Sequence, residues 1–131
     1  MRVSEGKNVS IIELIAVTNE TTKHTVNGTS YLVGQWKEAE YFYDLTSFTE
    51  TGAATAVTID VKVETYDPVT GKWRDAIVFQ QVSCAASGSE TTQEFKSLKS
   101  NIGVMQRITY TTGGTGTIGD CDFKVGAVYK R

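Results

Sequence analysis

One stretch constrains the fold more than any other. From Thr55 to Tyr66 the chain alternates strictly. Val57, Ile59, Val61 and Val63 point one way, and Thr58, Asp60, Lys62 and Glu64 point the other. A period of two belongs to a β-strand with one face on a core and the other toward water. Asp67-Pro68-Val69-Thr70-Gly71 follows. Pro presets a turn, Asp bonds back to the backbone and Gly supplies positive φ, so a hairpin is predicted here. Its second arm runs from Trp73 to Gln80, with Ile77 and Phe79 on one face and a bulge near Arg74-Asp75-Ala76.

The rest of the chain reads the same way. Val9 to Val17 is rich in β-branched residues and is predicted as a strand. Asn19 to Gly28 reads as a polar connection and Ser30 to Val33 as a short strand. Glu38 to Phe48 places Tyr41, Tyr43 and Leu45 inward and Glu40, Phe42, Asp44 and Thr46 outward. Ser83 to Glu90 reads as a loop, and Thr92 to Lys96 as a short strand. Val104 to Tyr110 is predicted with Val104, Ile108 and Tyr110 on one face. Thr111 to Gly119 reads as a Gly/Thr hairpin loop. The last strand, Asp120 to Lys130, turns Cys121, Phe123, Val125, Ala127 and Tyr129 inward. About eight strands at short spacing, with no helix long enough for a parallel crossover, predict an all-β protein: an antiparallel β-sandwich of jelly-roll type. The 131 residues fit a single domain, with an N-terminal arm considered within residues 1–35.

Composition narrows the function classes. A formal net charge of -2 supplies no basic field for nucleic acid. No apolar run reaches the roughly 18 residues of a membrane helix. Met1 to Lys7 lacks the apolar centre of a signal peptide, so the chain is expected to be made in the cytoplasm unless a leader has been removed. His24 is the only histidine, and Cys84 and Cys121 are the only cysteines, which is too few ligands for a zinc site. Both cysteines are expected as small buried apolar groups and free thiols.

Several motifs invite chemistry and fail on context. Gly114-Thr115-Gly116-Thr117-Ile118-Gly119 matches GxGxxG, but a strand follows where a dinucleotide fold needs a helix. His24 has no nucleophile elbow beside it and is expected to be solvent-exposed in its loop. The carboxylate pairs Glu38/Glu40 and Asp120/Asp122 read as solvated sheet faces. No catalytic, metal or cofactor residue is therefore assigned. Trp36, Trp73 and Tyr66 remain as candidate contacts for a protein interface or for a glycan, because exposed aromatics on a β-sandwich serve both.

A resemblance enters at Tyr41-Phe42-Tyr43-Asp44-Leu45-Thr46, the small-residue turn at Gly52-Ala53-Ala54, the strand and turn from Val57 to Pro68, and Gly71-Lys72-Trp73. With Arg107 in the penultimate strand and Phe123 to Lys130 in the last, this pattern resembles small jelly-roll virion structural proteins of tailed bacteriophages. It covers roughly the last 90 residues. The resemblance implies a non-enzymatic virion component, most naturally a capsid decoration or cement protein, with neck or tail parts as the alternative. It implies the major capsid protein as partner and a homo-oligomer, a trimer at a three-fold position. A carbohydrate-binding module for attachment to a cell surface is the competing reading from another class.

Replacing Val61 with Asp should unfold the domain, because it buries an unpaired charge in the most regular strand. Circular dichroism of the purified variant checks this, and a folded variant would mean that the opposite face packs inward.

Overall fold

The computed structural model describes residues 2–5, 8–52 and 55–131. Among them run eleven strands: β1 (Arg2–Glu5), β2 (Val9–Val17), β3 (Thr25–Asn27), β4 (Tyr31–Leu32), β5 (Glu38–Glu50), β6 (Val57–Asp67), β7 (Lys72–Val78), β8 (Val82–Cys84), β9 (Ser89–Leu98), β10 (Met105–Gly114) and β11 (Ile118–Lys130). They form two antiparallel sheets. The front sheet has the order β1-β2-β11-β5-β9, and the back sheet β3-β10-β6-β7, with β4 also pairing β10 and β8 also pairing β6.

The order is that of a jelly roll. Counting β3 with β4 and β7 with β8 as interrupted single strands leaves eight positions after β1. The first pairs the last (β2 with β11), the second pairs the seventh (β3/β4 with β10), the third pairs the sixth (β5 with β9), and the fourth pairs the fifth (β6 with β7/β8). This is one long antiparallel ribbon rolled into two layers. Strands in contact are therefore mostly remote in sequence.

Val57, Ile59, Val61 and Val63 are all buried, as are Tyr41, Tyr43 and Leu45 and the whole inward set of β11. The 67–71 turn is as expected, with Gly71 at φ 71° and Asp67 accepting the backbone N–H groups of Val69 and Thr70. The register of β6 against β7 slips where Val63 faces Ile77 and Glu64 faces Asp75, so Ala76 bulges as expected. A second bulge in β5, between Leu45 and Phe48, reverses the phase of that strand, and Phe48 and Glu50 turn inward beyond it.

Four expectations need correction. The polar connection Asn19–Gly28 contains β3, and the loop Ser83–Glu90 contains β8 and the start of β9. Both pieces have too few apolar residues to announce themselves, and their partners on β10 and β6 hold them. Val104 is exposed, and Gln106 takes the inward place beside Ile108 and Tyr110. The Gly/Thr segment is not a hairpin loop: β10 and β11 lie in different sheets, and 114–118 crosses between them. Its glycines admit a close backbone. Gly114 has φ 92°, and a Cβ there would lie 2.4 Å from the Ala56 carbonyl oxygen. At Gly116 a Cβ would fall 2.1 Å from that of Thr55.

Inside the sandwich the Gln106 side chain is fully buried. Gln106 of β10 accepts the hydroxyls of Tyr41 (2.6 Å) and Tyr129 (2.7 Å) on its Oε1, and its Nε2 donates to the Ile102 carbonyl at 3.0 Å. Both tyrosines belong to the front sheet, so the amide ties the layers together. Burial pushes the Tyr41 hydroxyl up to about 12, which keeps it a donor. Gln106→Leu conserves much of the volume but takes the shared acceptor from two buried phenols, while the Ile102 carbonyl keeps the Thr65 hydroxyl at 3.0 Å. It should lower stability by about 2–4 kcal/mol, read as a shift in urea midpoint with an unchanged slope.

Candidate interaction surface

Three of the sequence-selected residues can now be placed. On the outer side of the back sheet, Tyr66 of β6 and Trp73 of β7 are opposite in the ladder, with their rings edge to face at 5.3 Å between centroids. The Arg107 guanidinium of β10 lies over the Trp73 ring, 4.1 Å from its centre. One face of that indole is thus taken by a cation, and a sugar would have to stack elsewhere on it. Trp36 lies apart from this group. It is buried, lies under the Arg131 guanidinium, and lines a groove of about 330 Å³ with Val33, Ile12 and Tyr129.

Arg107 is held by Glu64, which alternation places on the solvent side of β6 but which is buried. Its Oε1 accepts from Arg107 Nε at 3.0 Å and from Thr109 Oγ1 at 2.6 Å, and Lys62 approaches the other oxygen at 3.5 Å. Lys62 also pairs with Asp75 at 2.8 Å. Burial pushes the Glu64 carboxyl up, but the bonds from Thr109 and Arg107 and the charge of Lys62 outweigh it, leaving the carboxyl below its ordinary range. The back face carries a polar network with an aromatic corner, and Val78 stands exposed opposite Lys62.

The front sheet differs. Of the eight exposed large apolar side chains among the described residues, Val9, Ile11, Phe42 and Phe95 all lie on its outer side. Phe42 and Phe95 are direct ladder partners with ring centroids 5.1 Å apart. On the other side of Phe42 the ladder partner is Gly126, which has no side chain. Alternation put Phe42 outward, and an aromatic out of phase with the core side of its strand was the available signal. Phe95 carried none, because the pairing that brings it to Phe42 spans more than fifty residues.

His24 corrects another expectation. It is half-buried rather than exposed, with its ring bonded to Glu20 and edge-on to Tyr110 at 6.1 Å. Tyr110 also donates to Glu20 at 2.9 Å. This group latches the 18–24 loop onto β10. Among the described residues, no group of three or more His, Cys, Asp or Glu is placed to hold a metal ion. Cys84 and Cys121 are both buried, and burial pushes the Cys121 thiol up to about 12.

No family model and no curated protein matches the chain. Solved structures do. A chain of the infectious bursal disease virus Gx strain structure superimposes with a TM-score of 0.60 at 9% identity, over 93% of this chain and 32% of that one. A chain of the T13 viral particle of the same virus gives 0.54 at 11% identity, over 94% and 31%. Dimeric latent PorU from Porphyromonas gingivalis gives 0.54 at 10% identity, over 94% of this chain and 12% of that one. The chain therefore spans a third or less of these relatives in length, and at such identities what it shares with them is the sandwich fold.

Removing the guanidinium should be costly, because Glu64 would remain buried with its charge. Arg107→Ala should lose about 2–3 kcal/mol at pH 7. The Glu64 carboxyl is depressed in the folded state, so its contribution is present above its ordinary value of 4.5 and fades as pH falls through the folded value. The gap between variant and wild type in urea midpoint should therefore narrow at pH 3 relative to pH 7. An equal gap at both values would show that Arg107 acts through Trp73 alone.

Proposed function

We propose that this chain is a structural, non-catalytic protein of a phage virion, and that it decorates or cements the capsid by binding between copies of the major capsid protein. The observation that carries this reading is the jelly-roll strand order, together with the superposition of nearly the whole chain on chains from structures of a virus. The strand and turn residues that resemble tailed-phage virion proteins support it: Tyr41 to Thr46, Val57 to Pro68, Trp73, Arg107 and Phe123 to Lys130. So does the surface. Exposed aromatic and aliphatic side chains gathered on a sheet face suit burial against protein. The mechanism is added contact area at subunit junctions. Tyr66 and Trp73 offer a rigid aromatic corner to the shell, with Arg107 and the Lys62–Asp75 pair as its polar rim.

Mass spectrometry and electron microscopy of purified particles test this reading. The chain should co-purify in many copies and appear as density on the outer shell. Particles that lack it should release their genome at a lower temperature. Density confined to the neck or tail would move the protein there, and absence from particles would end the virion reading. Glycan-array binding that Trp73→Ala abolishes would favour attachment to a cell surface instead.

A further inference from the structure

The outer face of the front sheet has a self-complementary layout. In the β5–β11 ladder, Phe42 stands opposite Gly126, Asp44 opposite Lys124 and Glu38 opposite Lys130. These three pairings set large against small or acid against base, and between them Glu40 stands opposite Val128. We propose that this face docks on the same face of a second copy, about a two-fold axis running parallel to the strands between β5 and β11. Such an axis converts every ladder neighbour into a facing partner. Phe42 meets the second copy's Gly126, Asp44 its Lys124 and Glu38 its Lys130, and each contact is made twice.

The local geometry fits. Phe42 projects with 46% of its surface exposed. Opposite it, the glycine leaves a recess: a Cβ at Gly126 would meet only the Ile12 carbonyl oxygen, at 3.5 Å. Val9 and Ile11 continue the apolar stripe on β2, and Phe95 lies at the rim beside the second copy's Glu13. Lys130 already pairs with Glu40 within its own chain, so the facing Glu38 adds a second carboxylate to an ordered cation. The axis lays β2, β11, β5 and β9 on β9, β5, β11 and β2 of the second copy, and four strands at about 4.8 Å spacing and roughly nine residues of length give on the order of 570 Å² per copy. That is smaller than the roughly 800 Å² per partner of a standard interface and suits a monomer–dimer equilibrium rather than a permanent dimer.

Edge pairing is the competing way for two sheets to join, and at β9 that edge is strapped down. Glu94 of β9 accepts the Gln80 N–H at 2.9 Å, and Lys96 donates to the Val78 carbonyl at 2.8 Å. These inward-pointing charges strap β9 to the end of β7 and the residues just after it, a known device against strand addition. The face remains. The resemblance leads to a trimer, whereas this layout gives a two-fold pair, and it does so whether or not the chain belongs to a virion.

Sedimentation equilibrium of the full chain over a concentration series tests the pairing. Wild type should show a monomer–dimer equilibrium. Asp44→Lys alone faces Lys with Lys, and Lys124→Asp alone faces Asp with Asp. Each should weaken its own dimer by roughly tenfold or more with its circular dichroism spectrum unchanged. An equimolar mixture of the two should restore dimers, all of them mixed, because both contacts then oppose Lys to Asp. Only contact between copies produces that rescue. Gly126→Lys, which fills the recess without touching the core, should also be monomeric and folded. A wild-type chain that stays monomeric, variants that dimerise as wild type does, or a mixture without rescue would each overturn the proposal. So would a monomer whose β5 and β11 amides become protected only on virus particles, which would assign the face to the shell.

Discussion

The side-chain amide of Gln106 is the contact on which the arrangement of the two layers turns. Apolar packing holds the sheets together but is indifferent to small slides between them. A fully buried amide with two phenols and a carbonyl as its partners is not indifferent. Sliding the sheets would strand polar atoms in a medium without water. The aromatic neighbours follow from this registration. Tyr41 and Tyr129 meet edge to face at 6.1 Å, and Phe123 of the front sheet contacts Tyr110 of the back sheet at 5.0 Å.

A second buried polar group does for one end of the sandwich what Gln106 does for its middle. Glu50 accepts the backbone N–H groups of Gly52, Ser87 and Thr117 at 2.7–2.9 Å. Those three residues belong to three different connections between the sheets. One carboxylate thus gathers the crossovers after β5, before β9 and before β11. The GxGxxG segment belongs here: its glycines let the chain close over β6 and over this carboxylate.

The two outer faces then divide the surface. The back face spends its charges on itself, through Glu64, Arg107, Lys62 and Asp75. The front face keeps apolar side chains exposed and places its charges around them. A rigid sandwich with one self-satisfied face and one apolar face has the form of a building block, which agrees with the structural role proposed for it.

Alternation along the chain determined most of the fold class. The inward faces of β6, of β11 and of β5 as far as Leu45, the hairpin at 67–71 and its bulge at Ala76 were all legible, because each depends on neighbours within a few residues. Phe42 was legible as outward, but its meaning was not. The strand order, the crossing of 114–118 between sheets, the short strands β3 and β8, the burial of Glu64 and Gln106 and the meeting of Phe42 with Phe95 and Gly126 were decided only in the folded chain. The physical reason lies in the jelly roll itself: it pairs β2 with β11 and works inward, so most contacts join residues far apart in sequence. Whether a polar side chain is buried, or an apolar one left bare, depends on what the distant strand brings opposite it.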